Sequence, residues 1–302
     1  FSGVENRVII NGGTIDINNT PDKFGKIKSR LNNPDNNAWG LEINGGTINV
    51  PVELLVQRGV YYTNGVSGAT TPAETAGTRT AEWLVAHGGF ITGGTFTSIG
   101  DEDDVTTNLK SFLSENYALS DNGDGTYSVG IDPEIAEAKV DNTCYINLAD
   151  AFDAAEAWET VTLLNDITLT ETLTIPAGKE VTLDLNGHTI MGVCNGNEAN
   201  LIFIENTATL NVYDNSSDND GKITYAVGTS DVGDTIEVKG TLNLYSGTIE
   251  LTGSWSIGYA VDIRPNSWGT EYTQGTVFHM YDGKLISYDG AIRVASSSSD
   301  TY

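Results

Sequence analysis

The chain has 302 residues, a formal net charge of −26 and a pI near 4.1, so it lacks the clustered Lys and Arg that nucleic acid or an anionic membrane surface requires. Its 39% hydrophobic and 19% charged residues exclude a disordered polyelectrolyte, and no run of about 18 apolar residues offers a membrane span. Two cysteines, Cys144 and Cys194, make no disulfide framework, and without partners at ligand spacing they make no zinc site; whether they pair is left open.

From the first residues on, a hydrophobic strand runs into a small turn and restarts with Gly, then Thr or Lys, then a large apolar residue. The first half holds Gly13-Thr14-Ile15, Gly46-Thr47-Ile48 and Gly94-Thr95-Phe96. The second holds Gly221-Lys222-Ile223, Gly247-Thr248-Ile249 and Gly283-Lys284-Leu285, with His188-Thr189-Ile190 as a degenerate member. Spacings of 33 and 48, then 33, 26 and 36, fall in the roughly 20–50-residue range of a solenoid whose coil is one repeat. The expected fold class is therefore all-β, a parallel β-helix with short capping helices. Ile15, Ile48, Ile190, Ile223, Ile249 and Leu285 should all point inward, because each follows the turn at the same offset and a one-residue slip would invert every strand.

After Phe96 the pattern changes. Val105, Leu109, Phe112, Leu113 and Tyr117 lie on one face of a helix expected over about 104–117, followed by a hairpin-like Asp121-Asn122-Gly123-Asp124-Gly125-Thr126-Tyr127. A second helix opens at Asn147, a capping residue, with Leu148, Ala151, Phe152, Ala155 and Trp158 on one face. Then period-two strands follow: Val181-Leu183-Leu185, Leu201-Phe203, Leu210-Val212, Ile236-Val238, Leu242-Leu244, Val261-Ile263, Phe278-Met280 and Ile292-Val294. The order is repeats, end cap, start cap, repeats. It predicts two modules: residues 1–131 as the closing part and end cap of one β-helix, and residues 132–302 as the start cap and opening part of a second.

Tyr145-Ile146-Asn147-Leu148, Val161-Thr162-Leu163-Leu164-Asn165-Asp166-Ile167 and Leu183-Asp184-Leu185-Asn186-Gly187-His188-Thr189-Ile190 resemble the opening of repeat-rich surface proteins of Gram-positive gut bacteria. Ile91-Thr92-Gly93-Gly94-Thr95-Phe96 with Phe112-Leu113, Tyr117 and Asp124-Gly125-Thr126-Tyr127 resembles their closing module. The resemblance covers about half the chain. It implies a right-handed, pectate-lyase-like parallel β-helix on an extracellular, cell-surface protein, and it brings no catalytic residues.

The residues themselves suggest no enzyme. Asp184 and His188 flank a turn, His87 and His279 are isolated, and no acid pair stands out from 41 acidic residues. No cofactor is expected, although calcium is possible: Asp218-Asn219-Asp220-Gly221 has alternating oxygen ligands, with Asp218 and Asp220 as candidates, but lacks the Glu that completes such a loop. Aromatics are the handle for a carbohydrate. Tyr213, Tyr245 and Tyr281 recur before the turn in three repeats and should stack, while Trp255, Tyr259, Trp268 and Tyr272 cluster in the longest insertion.

Phe1-Ser2-Gly3-Val4 and Ser296–Tyr302 show neither leader nor anchor, which reads as a piece of a longer protein. Running residue 302 into residue 1 of a second copy places Gly283 and Gly13 32 residues apart, one coil. Identical subunits or tandem copies would then join end to end through Val8, Ile10, Ile15 and Ile17 on one side and Ile292 and Val294 on the other. The expected function is a non-catalytic structural or adhesive module of a stalk or filament. A carbohydrate-binding module, contacting glycans or host surface ligands, is the alternative, and a polysaccharide lyase or hydrolase is the third reading. No nucleic acid and no membrane insertion are expected.

Overall fold

A computed structural model describes residues 8–16, 41–49, 89, 91–100, 102–103, 108–193, 200–227, 233–253, 258–264, 275–288 and 290–295. The chain is nearly all β, with stacked parallel sheets, and divides into two compact units, Phe1–Asp132 and Pro133–Tyr302.

In the first unit, β1 (Val8–Asp16), β2 (Leu41–Asn49) and β3 (Ile91–Phe96) form a parallel sheet. Its turn glycines align, Thr14 opposite Thr47 and Thr47 opposite Thr95, so Ile15, Ile48 and Phe96 fall in one row. Ile48 and Phe96 are buried and Ile15 is half-buried against the same cluster. The repeated glycine is required: at Gly46 φ is 93°, and a Cβ there would meet the Gly13 carbonyl oxygen at 2.8 Å. Beside the turn, Asn44 Nδ2 donates to Asn11 Oδ1 (3.0 Å) and Thr92 Oγ1 donates to Asn44 Oδ1 (2.7 Å), a polar ladder that fixes the register.

The sheet is then closed by a hairpin, β4 (Tyr117–Asp121) and β5 (Tyr127–Ile131), with β5 antiparallel to β3. Asp121 and Asp124 accept amide hydrogens from Gly123 and Thr126 to form the turn. The helix expected over 104–117 is not what residues 108–117 adopt. Only one 3-10 turn, Leu109–Phe112, forms, capped by Asn108, whose side chain accepts from the Lys110 amide. Leu113 then bridges to Ile91 and the chain is strand by Tyr117. Tertiary burial of Leu109 and Phe112 on the sheet overrides the helical periodicity.

The second unit opens with β6 (Ala138–Val140), β7 (Thr143–Tyr145) and α1 (Leu148–Ala154). Leu148, Ala151, Phe152 and Ala155 are buried, but α1 ends before Trp158, which has φ 74° and is 77% exposed. Asn147 makes no side-chain cap; Glu137 does this from outside, its Oε2 accepting the Leu148 amide at 2.7 Å.

Strands now recur in triplets. They are β8 (Thr160–Leu163), β9 (Ile167–Leu169) and β10 (Leu173–Ile175); β11 (Glu180–Asp184), β12 (Thr189–Val193) and β13 (Ile202–Ile204); and β14 (Thr209–Tyr213), β15 (Lys222–Val227) and β16 (Ile236–Val238). Two more follow: β17 (Thr241–Leu244), β18 (Thr248–Gly253) and β19 (Tyr259–Ile263), then β20 (Val277–Met280), β21 (Lys284–Ser287) and β22 (Gly290–Val294). Each strand pairs in parallel with its counterpart one triplet on, giving three sheets. Strand β6 covers the β8 edge of the first sheet in antiparallel pairing.

One apolar cluster draws side chains from all three sheets. Its rows are Val161–Leu183–Val212–Leu244, Ile167–Ile190–Ile223–Ile249–Leu285 and Ile175–Ile204–Val238–Ile263, the first and third running on into the exposed Met280 and Val294. Fully burying each aliphatic side chain stabilises by about 1.5–3 kcal/mol. One phase differs from the sequence pattern: Ile202 and Ile204 are the inward pair of β13, and Phe203 faces outward between them.

Candidate functional site

Three features of the second unit are candidates. The first is the turn between the first and second sheets. Its anchor is Asp214, just past β14: Oδ1 accepts the amides of Gly187 (2.8 Å) and Ser216 (3.2 Å), and Oδ2 accepts that of Gly221 (2.6 Å). Burial pushes this carboxyl up, but the hydrogen bonds from Ser216, Gly221 and Gly187 outweigh it and hold the pKa below the ordinary carboxylate value. Asp184 does similar work one triplet earlier, accepting from Asn186 and Asn215. His188 stands opposite Gly221 and lies 3.6 Å from Asp166, so Asp184 and His188 belong to turns and do not converge. Asp218 and Asp220, the calcium candidates, are exposed on the loop that Asp214 organises. Among the described residues no three His, Cys, Asp or Glu side chains gather around a common point.

The second is the tyrosine ladder. The rings of Tyr213 and Tyr245 stack at 4.3 Å and 5°, and those of Tyr245 and Tyr281 at 4.6 Å and 4°. Desolvation, then the neighbouring Tyr213, raises the pKa of the Tyr245 phenol. This stacking consumes ring faces: both faces of Tyr245 are covered, while Tyr281, with the His279 ring 5.9 Å away and tilted by 25°, stays 62% exposed. Tyr259 is likewise covered, by the Arg293 guanidinium 4.6 Å from its centroid. Trp255, Trp268 and Tyr272 lie outside the described residues.

The third was not singled out by the sequence. On the outer face of the third sheet, Phe203, Glu237, Asp262 and Arg293 form one row. An outward acid should be solvated, yet Asp262 is 0% exposed and Asp234 beside it 1%. Arg293 Nε donates to Asp262 Oδ1 at 2.7 Å, and its Nη2 donates to Oδ2; Arg264 donates from Nε to Asp262 Oδ2 and from Nη2 to Asp234 Oδ2 (3.3 Å). Asp234 also accepts the Tyr259 amide at 2.8 Å and hydrogen-bonds to Asp262.

The two carboxyls are pushed apart. Burial and the adjacent Asp262 charge raise Asp234 to about 7, whereas Asp262, also penalised by burial, is held below the ordinary value by Arg293 and Arg264. The Asp262 bonds in turn raise Arg293 above the usual guanidinium value. Next to this pair, Glu237 bridges Asn200 (2.5 Å) and Lys239 (3.3 Å), and Lys239 lies over the Phe203 ring. The signal was in the sequence: Arg264 and Arg293 are the only arginines after Arg79, and Val261-Asp262-Ile263 aligns with Ile292-Arg293-Val294.

Of the expected assembly residues, Ile10 is buried, Ile15 half-buried, and Ile292 and Val294 are exposed, Val294 by 73%. Val8 lies in β1, and Ile17 is outside the described residues. Cys144 is half-buried on β7, and Cys194 is outside the described residues. No helix among the described residues is long and apolar enough to cross a membrane. Comparison of the chain with protein-family models, curated proteins and solved structures gives no match.

Proposed function

We propose that the chain is a non-catalytic structural or adhesive module, built as a right-handed parallel β-helix and displayed outside the cell as part of a surface stalk or filament. The observation that carries this reading is the unbroken register of the three sheets. Every triplet repeats the positions of the one before, so the outer rows (Thr182–Asn211–Asn243, Tyr213–Tyr245–Tyr281) serve to hold neighbouring strands in place. The perturbed acids fit the same role: Asp214 ties three amides of a turn, and Asp262 ties Arg293 of β22 to Arg264 just past β19. A panel of neutral and acidic polysaccharides, with and without calcium, should show no new reducing ends and no rise in ultraviolet absorbance. Turnover abolished by Asp234→Asn or Asp262→Asn would overturn the reading.

A carbohydrate-binding module is the second reading, favoured by the exposure of Tyr281 and its neighbour His279 at the end of the ladder. Glycan-array binding lost in Tyr281→Ala, with the fold intact by circular dichroism, supports it; no binding by the wild type removes it.

A further inference from the structure

Gly12 has no use within the described chain. Its φ is not in the left-handed region, and nothing among the described residues lies within 4 Å of a Cβ built on it. The two residues in its position one and two repeats later are glycines with a clear cause. A Cβ on Gly45 would meet the Asn11 carbonyl oxygen at 2.7 Å, and one on Gly93 would meet the Asn44 carbonyl oxygen at 2.4 Å. In each case the carbonyl comes from the strand stacked beneath. Gly12 is thus shaped for a strand that β1 lacks among the described residues, where β1 is an edge of its sheet.

The opposite kind of edge lies in the second unit. The rows buried in earlier triplets surface in the last one. Leu244 is buried and Met280 exposed, Val261 is buried and Ile292 exposed, and Val294 is exposed at the end of its row. Ser287 takes the row position held by Leu251, and its hydroxyl is the one buried side-chain polar atom without a partner among the described residues. A further coil would cover all of these.

We propose that the occupant of the β1 edge is the last triplet of a second copy of this chain, with Met280-Tyr281-Asp282-Gly283-Lys284-Leu285 lying under Ile10-Asn11-Gly12-Gly13-Thr14-Ile15. The proposal rests on the stacking reading above and names its contact. Both segments carry the same turn, with φ 92° at Gly283 and 82° at Gly13. In that register the Tyr281 carbonyl stands over Gly12 as Asn11 stands over Gly45. The apolar rows then run on without a break: Leu244–Met280 into Ile10–Ile43–Ile91, and Ile249–Leu285 into Ile15–Ile48–Phe96. One edge accepts and the other donates, so the contact is heterologous and propagates as an open chain.

The test uses the whole chain by sedimentation velocity over a range of concentrations at low and moderate salt, since like charge opposes contact between copies and salt screens it. Wild type should form a concentration-dependent ladder of head-to-tail species, stronger in salt. Gly12→Val should keep the wild-type circular dichroism and melting temperature, because nothing among the described residues opposes the side chain, yet remain monomeric. Gly45→Val, which meets a carbonyl within the chain, should instead lose stability. With Cys144 and Cys194 changed to Ser, a mixture of Thr14→Cys and Lys284→Cys chains, whose substituted positions face each other in the proposed register as Thr14 faces Thr47 within the chain, should give a disulfide dimer that neither forms alone. A wild type that stays monomeric throughout, or a Gly12→Val chain that assembles like wild type, overturns the proposal while leaving the absence of turnover untouched. Polysaccharide turnover would overturn the structural reading alone.

Discussion

Asp234 and Asp214 show how one residue type is tuned in opposite directions by its surroundings. Asp234 has a folded pKa of about 7 against an ordinary 3.8, so between roughly pH 4 and pH 7 the folded chain holds a proton that the unfolded chain has released. Stability contributed by this site is therefore present at the acid end of that window and is lost as pH rises through it. One pKa unit corresponds to about 1.4 kcal/mol, which bounds the loss at about 4 kcal/mol. Asp262 has the other sign: held low by its arginines, it contributes stability above about pH 4 that acidification removes. Urea titrations at steps from pH 4.5 to 8 should show stability falling for the wild type. Asp234→Asn, which mimics the protonated carboxyl, should flatten that slope, while Asp218→Asn on the exposed loop should keep it. Asp214→Ala should cost roughly 3 kcal/mol in the same assay, because it strands the amides of Gly187, Ser216 and Gly221 around a depressed carboxylate.

At the level of elements, stacking strength depends on how many neighbours a side chain has in its row. Tyr245 has a closely stacked tyrosine on each side, whereas Tyr281 has one such tyrosine and the more distant, tilted His279 ring at 5.9 Å and 25°. Since an aromatic pair is worth about 0.5–1.5 kcal/mol beyond its buried area and weakens with distance and tilt, Tyr245→Ala should lower the denaturation midpoint further than Tyr281→Ala. This ladder was legible from sequence because it depends on recurrence: a Tyr at a fixed offset from each turn glycine must stack if the strands are parallel and in register. The inward isoleucines were legible for the same reason. What escaped was set by tertiary contact. The run from Val105 to Tyr117 has helical spacing, but Leu109 and Phe112 gain more by lying on the sheet than residues 108–117 gain from a helix. Phe203 and Trp158 look like core residues by type, yet Ile202 and Ile204 fill the interior and α1 ends at Ala154. The Asp234–Asp262 site escaped because an acid in an outward strand position reads as solvated, and its burial depends on partners from β19, β22 and the segment before β16.

For the whole molecule the governing quantity is charge. With 41 acidic residues against 15 basic ones, the folded state concentrates self-repulsion that the expanded chain relieves. Several of the basic residues are already committed: Arg264 and Arg293 to the buried aspartates, Lys222 to Glu250, and Lys239 to Glu237. The remaining negative charge has to be screened by solution ions. Raising sodium chloride from about 0.01 M to about 0.15 M shortens the Debye length from roughly 30 to 8 Å. The melting temperature of dilute, monomeric protein should therefore rise over that range, most steeply at its low end, and more at pH 8 than near the pI. Gly12→Val should follow the same curve as wild type, since intramolecular repulsion has nothing to do with the edge of β1. Calcium and magnesium chloride at matched ionic strength separate general screening from a bound ion. Equal shifts assign the effect to screening, and a larger shift with calcium that disappears in the Asp218→Asn, Asp220→Asn double variant assigns it to that loop. A melting temperature indifferent to salt would mean that charges on the folded surface are spaced widely enough not to oppose folding.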